Sequence, residues 1–358
     1  GSYGASGSVS SKFTVAGLTS VENGSGNILS LTGKNVFTGL VSIGDSANSL
    51  SGGKIILNSD GNLHLAEVTC DSLEVQSSVE FTEDVDSPVT FSGPASQING
   101  GGKTFSAAVT FSGAEANLSG DNAFSASATF TANTNILGNN TFSDFVCETA
   151  ETKISFGSGT HQAVSGNLNL KGSSSSHIEL TGESEWEIEP ADVSKVSLAF
   201  VTVKNSKNTV SDPIIVYAKG GYNTDGTGNT NWIFAGQEYV WTGADPVSPT
   251  EWNQAANWSP ASVPGRYADV TINSVSSNNY PVLTSDLNLD KGSVSFALDD
   301  DGDGSSDRTE SVSSVLTIGE GGVFDFNGKN PSINTLYNSG RIRVRGSELF
   351  YSALSGDS

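Results

Sequence analysis

The sequence predicts an all-β protein, a right-handed parallel β-helix of about 19 residues per coil, on three observations. Large apolar residues recur at a fixed interval. Phe105 and Phe124, Phe111 and Phe130, and Leu118 and Leu137 are each 19 residues apart, Phe91–Phe111 and Ile98–Leu118 are 20 apart, and Phe124–Phe142 is 18. Between these points, runs such as Val109-Thr110-Phe111 and Ala128-Thr129-Phe130 alternate apolar and polar with the strand period of two, punctuated by Gly, Asn, Ser and Asp. Finally, a unit of three brief strands cannot bury its own apolar face. It must stack on its neighbours, and coils stacked at the strand spacing of about 4.7–4.9 Å make a solenoid. The rival architecture is a tandem array of β-sandwich domains, favoured by strands that recur every few residues. Leucine-rich repeats are excluded, because the L-x-x-L-x-L-x-x-N frame is missing.

Residues 1–238 are read as the solenoid. Equivalent positions lie above one another in such a stack, so Phe105, Phe124 and Phe142 are expected to form an inward ladder, with Asn and Ser stacked likewise at the turns. Cys70 and Cys147 are 77 residues apart, close to four repeats. Four strand spacings are roughly 19 Å, well beyond the Cα separation of about 4.4–6.8 Å that a disulfide spans, so both are expected as free thiols. From 151 to 238 the period loosens while strand-like pieces continue. The polar run Gly220–Phe234 reads as a wide turn and a terminal strand, which places a boundary near 238.

Residues 239–358 are read as a Trp/Pro-rich junction followed by a β-rich segment. Trp241, Trp252 and Trp258 fall there with Pro246, Pro249, Pro260 and Pro264, a density that suggests a compact plug over an apolar stack end. Beyond it, Val323–Ile342 and Phe324–Arg343 are again 19 apart, as if a second, shorter solenoid begins.

The stretch VWTGADPVSPTEWNQAANWSPASVPGRYADVTI, preceded by NTNWIF, resembles the linking motifs of large repetitive bacterial surface and secreted proteins of the filamentous-haemagglutinin or autotransporter-passenger type. The resemblance covers about 50 residues (239–272 with its approach), and the rest of the chain is similar only in repeat style. It implies an extracellular or bacterial outer-surface β-helical stalk acting in adhesion to a host surface protein or glycan.

Charge narrows the partners. Thirty-nine Asp and Glu against 17 Lys and Arg give −22, which repels phosphate backbones and anionic headgroups; nucleic acid is not an expected partner, and divalent cations are the natural small ones. No apolar run approaches the roughly 18 residues of a transmembrane segment. With no Met and a Gly1-Ser2 start, the sequence reads as a processed or recombinant piece of something larger.

The strongest chemical motif is LDDDGDGSSDRTESV. Counted from Asp299, acidic side chains fall at positions 1, 3, 5 and 9 (Asp299, Asp301, Asp303, Asp307), Gly304 at 6 and Glu310 at 12. That is the spacing of a calcium loop. Ca²⁺ takes six to eight hard oxygens, the carbonyl of Ser305 supplies position 7, and Glu310 closes bidentately. The flanks SVSFAL and VSSVLTI read as strands rather than helices, so a structural Ca²⁺ site joining two strands is expected, without the opening motion of calcium sensors.

Other candidates carry less. His64, His161 and His177 have no partner spacing for a metal or triad. Glu183, Glu185, Glu187 and Glu189 alternate around Trp186 and Ile188 as the polar face of a strand would, although a glycosidase carboxylate pair could be drawn from them. Arg341, Arg343 and Arg345 alternate along one strand with Ile342 and Val344 expected inward; an acidic glycan could meet them, with salt-bridged surface as the plainer reading. The sequence therefore points to a non-catalytic, calcium-braced adhesin or surface stalk fragment. The alternative is a β-helix polysaccharide lyase or glycoside hydrolase.

Overall fold

The computed structural model describes residues 72–300 and 305–346 apart from 77, 82 and 83, together with the backbone of short strands between Ser8 and Thr69 and at Ala353–Ser355. The chain is a parallel β-solenoid that divides into two compact units, 1–212 and 213–358. The division precedes the compositional boundary at 238, and the strands Ile214–Tyr217 and Trp232–Ala235 pair with each other inside the second unit.

In the first unit each coil contributes to three parallel sheets. One runs through Ser72–Val75, Val89–Phe91, Val109–Phe111, the end of Ala123–Phe130, the end of Asn140–Cys147, Leu168–Lys171 and Val196–Ala199. A second runs through Val79–Phe81, Gln97–Asn99, Ala116–Ser119, Thr134–Ile136, Lys153–Phe156 and the first halves of Ile178–Pro190 and Val201–Asn208. The third collects Thr104–Phe105, the beginnings of the two eight-residue strands at 123 and 140, His161–Val164 and the second halves of the strands at 178 and 201. The longer strands thus bend across a corner and serve two sheets.

Val-Thr-Phe triplets form these strands because β-branched and aromatic side chains fit a pleated surface buried on one face. Their burial alternates accordingly, with both ends inward and the centre outward. The corners need small residues. A Cβ on Gly113 would stand 2.2 Å from the carbonyl oxygen of Gly93 in the coil below, so only glycine lets the backbone turn there.

The register bears out most of the sequence pairs. Phe105 lies beside Phe124, Phe111 beside Phe130, Phe91 beside Phe111, Ile98 beside Leu118, and Phe124 beside Phe142. One pair is corrected. Leu118 faces Ile136, and Leu137 is 51% exposed; this coil is 18 residues long, so the side chain at 137 falls on the outward side. The period itself widens from 16 residues (Leu73 to Val89) to 28 (Leu168 to Val196) as turns lengthen between fixed strands.

The expected ladder is present: Phe105 and Phe124 stack at 5.1 Å between ring centroids, Phe124 and Phe142 at 5.0 Å. A second column beside it, Phe91, Phe111, Phe130 and Phe145, stacks at 5.3, 4.8 and 4.6 Å. The columns meet edge to face, as at Phe111 and Phe124. A polar ladder lies inside as well. Asn122 donates through Nδ2 to Asn140 Oδ1, and Asn140 to Gln162 Oε1, each at 3.1 Å and fully enclosed. Cys147 is a buried free thiol whose pKa burial raises; Cys70 lies outside the described residues.

The second unit repeats the plan with more irregular coils. Asp269–Ile272, Val315–Ile318, Thr335–Asn338 and Ala353–Ser355 pair in parallel succession, as do Val323–Asp325 with Arg341–Arg343 and Leu287–Asp290 with Pro331–Ile333. Here too the register corrects the sequence: Phe324 faces Ile342 and Asp325 faces Arg343, an 18-residue coil in place of 19. Phe324 is fully buried and takes the apolar partner, which leaves the arginines outward.

The tryptophans form the core of this unit. Trp252 stacks on Phe324 at 5.1 Å and meets Trp258 edge to face at 4.6 Å, among Val270, Ile272, Leu316, Ile318 and Leu336. Trp258 belongs to a short strand that pairs antiparallel with Glu238–Trp241 and occupies the edge of the sheet, protecting its unpaired backbone groups.

Candidate functional site

Outward positions of the second sheet of the first unit form polar rows that climb coil by coil. Asn135 donates to Asn117 Oδ1 at 3.0 Å, and Asn133 to Glu115 Oε1 at 2.9 Å. The Asn133 carboxamide oxygen in turn accepts from the backbone N–H of Lys153 at 2.8 Å. Asn135, Ser155, Thr181 and Lys204 occupy matching positions on four successive strands.

At the top of these rows the strand Ile178–Pro190 bulges. Thr181 pairs with Lys204 and Trp186 with Ser206, so four residues, 182–185, stand opposite Asn205 alone. Bulges of this kind re-aim side chains out of a sheet. This one is tied down on both sides. Asn205 donates to the Gly182 carbonyl at 2.8 Å, the Trp186 indole N–H to the Lys204 carbonyl at 3.0 Å, Gly159 N–H to the Glu185 carbonyl at 2.9 Å, and Ser184 to Ser158 at 2.6 Å. Beneath it Trp186 stacks on Phe156 with centroids 3.8 Å apart.

The bulge walls a groove of about 480 Å³. Glu115, Asn133, Lys153, Glu183 and Lys204 line it, and among the described residues Lys153, Lys204 and Glu183 have no ion-pair partner. Fixed amides and hydroxyls with free charges of both signs suit a polar ligand that both donates and accepts hydrogen bonds. Its volume lies in the usual range for small-ligand clefts, roughly 300–1,000 Å³. The residues come from positions as far apart as 115 and 204, so no local motif announces them; only coil-by-coil alignment, such as Glu115, Asn133 and Lys153 at steps of 18 and 20, would have grouped them.

Of the glutamate row singled out from the sequence, Glu183 alone enters this groove. Glu187 pairs with Lys207 Nζ at 2.7 Å, which holds its carboxyl below the usual range, and Glu189 pairs with His161 at 2.8 Å. His177 lies against Thr202 and the Phe200 ring; the side chain of His64 is outside the described residues.

The acidic loop belongs to the second unit. Ser293–Leu298 and Arg308–Ser313 form an antiparallel hairpin inserted between two coils, with Leu298 opposite Arg308 and Phe296 opposite Glu310. Asp299, Ser305, Asp307 and Glu310 are on its described limbs; Asp301 and Asp303 lie outside the described residues. Asp307 Oδ2 accepts the Asp300 backbone N–H at 2.6 Å. Arg308 donates through Nε to Asp300 Oδ2 at 2.6 Å and through Nη1 to Glu310, while its guanidinium lies over the Tyr217 ring. The Tyr222 hydroxyl donates to the Asp299 carbonyl at 3.2 Å, and burial together with the Asp300 charge pushes its pKa up to about 12. Among the described residues no three carboxylate, histidine or cysteine side chains converge on one point. Strands flank the loop, the first at SVSFAL as expected, but the second begins at Arg308 rather than at Val312, so Glu310 already stands within it, and of the expected ligands Arg308 engages Glu310.

Of the arginine row, Arg345 pairs with the buried carboxylate of Asp325 at 2.7 Å. Ile342 packs on the core, whereas Val344, expected inward, is 58% exposed because the strand ends at Arg343. Among the described residues no helix is long and apolar enough to cross a membrane. Comparison with protein-family models, with curated proteins and with solved structures finds no match.

Proposed function

We propose that the chain is a non-catalytic part of an extracellular adhesin or surface stalk that attaches to a glycan through the groove of its first unit. The observation that carries the reading is the pinned bulge at 182–185, which sets Glu183 beside Lys153 and Lys204 over rows of asparagine, serine and threonine. A sugar offers hydroxyls that donate and accept, and preorganised polar groups on rigid strands bind such a ligand without a large ordering cost. Solenoid architecture, the excess of acidic residues and the resemblance of 239–272 to surface-protein linkers all agree with a secreted or outer-surface setting. A host surface protein carrying the glycan is the natural partner. Calcium is assigned to the loop Asp299–Glu310 as a brace: Asp299, Asp301, Asp303, Asp307, Glu310 and the Ser305 carbonyl would supply hard oxygens, with Arg308 giving up Glu310 to the ion.

One observation favours a second reading, a polysaccharide lyase or glycoside hydrolase. Glu115 and Glu183 are two carboxylates lining one groove with two lysines, the residue types that general acid and base chemistry on a sugar needs.

Glycan-array binding of the intact chain, followed by titration of the best oligosaccharide against Glu183→Gln and Lys204→Gln, tests both. Attachment predicts retention of an unchanged oligosaccharide and weakening by about tenfold in either variant. New reducing ends or the ultraviolet absorbance of an unsaturated product would establish the enzyme instead. Binding indifferent to both substitutions would remove the groove from the account.

A further inference from the structure

The second unit carries a separate groove of about 570 Å³, built on the coils that hold Val323–Asp325 and Arg341–Arg343. Its character differs from that of the first. Arg341 and Arg343 stand on the same exposed side of their strand, alternate residues being about 6.6 Å apart. Both line the groove, and among the described residues neither has a carboxylate partner. The one buried acid nearby is already matched: Asp325 accepts from Arg345 at 2.7 Å and from the Asn327 backbone N–H at 2.9 Å. Among the described residues two guanidinium forks therefore have no acid beside them, in a chain of net charge −22.

The rest of the lining is mostly polar, with Val282 and Val323 among it. Gly321, Gly322 and Gly340 present bare backbone, and a Cβ on Gly340 would meet the Gly319 and Gly322 carbonyl oxygens at 2.5 Å, so the surface cannot carry a side chain there. Tyr280 forms one wall, its ring fixed by a 2.8 Å hydrogen bond from the hydroxyl to the Gly321 carbonyl. Thr250 and Ser339 add hydroxyls.

We infer that this groove binds an acidic glycan, with the Arg341 and Arg343 forks taking its carboxylate or sulfate groups and the Tyr280 ring and neighbouring hydroxyls taking the sugar. Guanidinium groups match planar oxyanions bidentately, and the glycine surface admits a ring at close approach. A long polyanion such as nucleic acid is disfavoured by the field of the whole chain. A short segment with one or two anionic groups meets only the local positive pair. The site is independent of the groove in the first unit, and each fails or stands without the other.

Isothermal titration of the full chain with a trisaccharide of uronic acids, with its carboxyl-reduced neutral counterpart and with inorganic sulfate is the test. The uronate trisaccharide is expected to bind, more weakly as salt rises, and the neutral counterpart to bind at least tenfold more weakly. Arg341→Gln and Arg343→Gln should each cost about tenfold or more, and Arg343→Lys should restore only part of the loss, because it keeps the charge without the fork. Both arginines are exposed, so the melting temperature of these variants should match that of the parent. Equal affinity for the neutral sugar, or titrations unchanged in both glutamine variants, would overturn the site. Sulfate bound as tightly as the uronate would overturn the assignment to a glycan.

Discussion

At the scale of single residues, the interior is held by columns in which each side chain touches its own equivalents above and below. Phe124 stacks on Phe105 and Phe142 and meets Phe111 edge to face, with 2% of its surface exposed. Removing it leaves a void that neighbours in adjacent coils cannot fill, since their backbones are fixed by strand pairing on all three sheets. Phe124→Ala should therefore cost about 3–5 kcal/mol in chemical denaturation. A near-neutral value would mean that the columns are not the core. The asparagine ladder follows the same logic with hydrogen bonds: Asn122, Asn140 and Gln162 each lose water on burial and recover an amide partner from the next coil. Among the described residues the Asn122 carboxamide oxygen itself has no hydrogen-bond partner, and it lies 1.8 Å from where a Cβ on Gly100 would stand, so a side chain at 100 would displace Asn122 from the ladder.

At the scale of elements, the sequence was most legible where coils are regular. Between residues 89 and 145 apolar triplets recur at nearly constant spacing, and the strands, their inward faces and the Phe105–Phe142 column follow from the period alone. An 18-residue coil read as 19 put Leu137 on the wrong face, because the strand period of two sends adjacent side chains to opposite sides, and gave Ile342 the wrong partner, Val323 in place of Phe324, although its inward face was read correctly. Of the groove of the first unit only Glu183 stood out in the sequence, since the bulge at 182–185 and partners on several coils share no local pattern. The calcium-loop spacing was legible, but the clamp of Arg308 on Asp300 and Glu310 was not, because it depends on the hairpin register. Register also sets a charge conflict that sequence could not reveal. Asp269 pairs directly with Glu238 on the neighbouring strand, and burial, reinforced by that charge, raises the Asp269 pKa. A carboxyl raised on folding adds stability only while protonated in the fold, and that contribution is lost as pH rises through its folded value. Asp269→Asn should accordingly raise the melting temperature at pH 7. The gain should shrink in acid and vanish below the unfolded value of about 3.9. A gain that persists at low pH would point to packing rather than charge.

At the scale of the whole molecule, a net charge of −22 makes the solution cation composition part of the stability. Screening and specific binding must be separated, because any salt relieves self-repulsion while only a site discriminates calcium. In 0.15 M NaCl the Debye length is already about 8 Å, so a further 2 mM of a divalent ion adds little general screening. With a dissociation constant of about 10⁻⁴–10⁻³ M, typical of extracellular modules, 2 mM Ca²⁺ would stabilise the folded form by about 0.7–1.8 kcal/mol, a shift of a few degrees for a unit of this size. The readout can be assigned to a unit: Trp232, Trp241, Trp252 and Trp258 lie in the second, which contains the hairpin, and Trp186 alone lies in the first. Tryptophan fluorescence should thus show a transition that rises with Ca²⁺ over chelator and stays indifferent to an equal concentration of Mg²⁺, which demands near-ideal octahedral geometry and gives up its waters reluctantly. Glu310→Gln should abolish the rise while its amide oxygen still accepts from Arg308, leaving the calcium-free transition close to that of the parent, since the pair is exposed at the hairpin surface. If the parent melts identically with Ca²⁺, Mg²⁺ and chelator, the metal has no part in this loop.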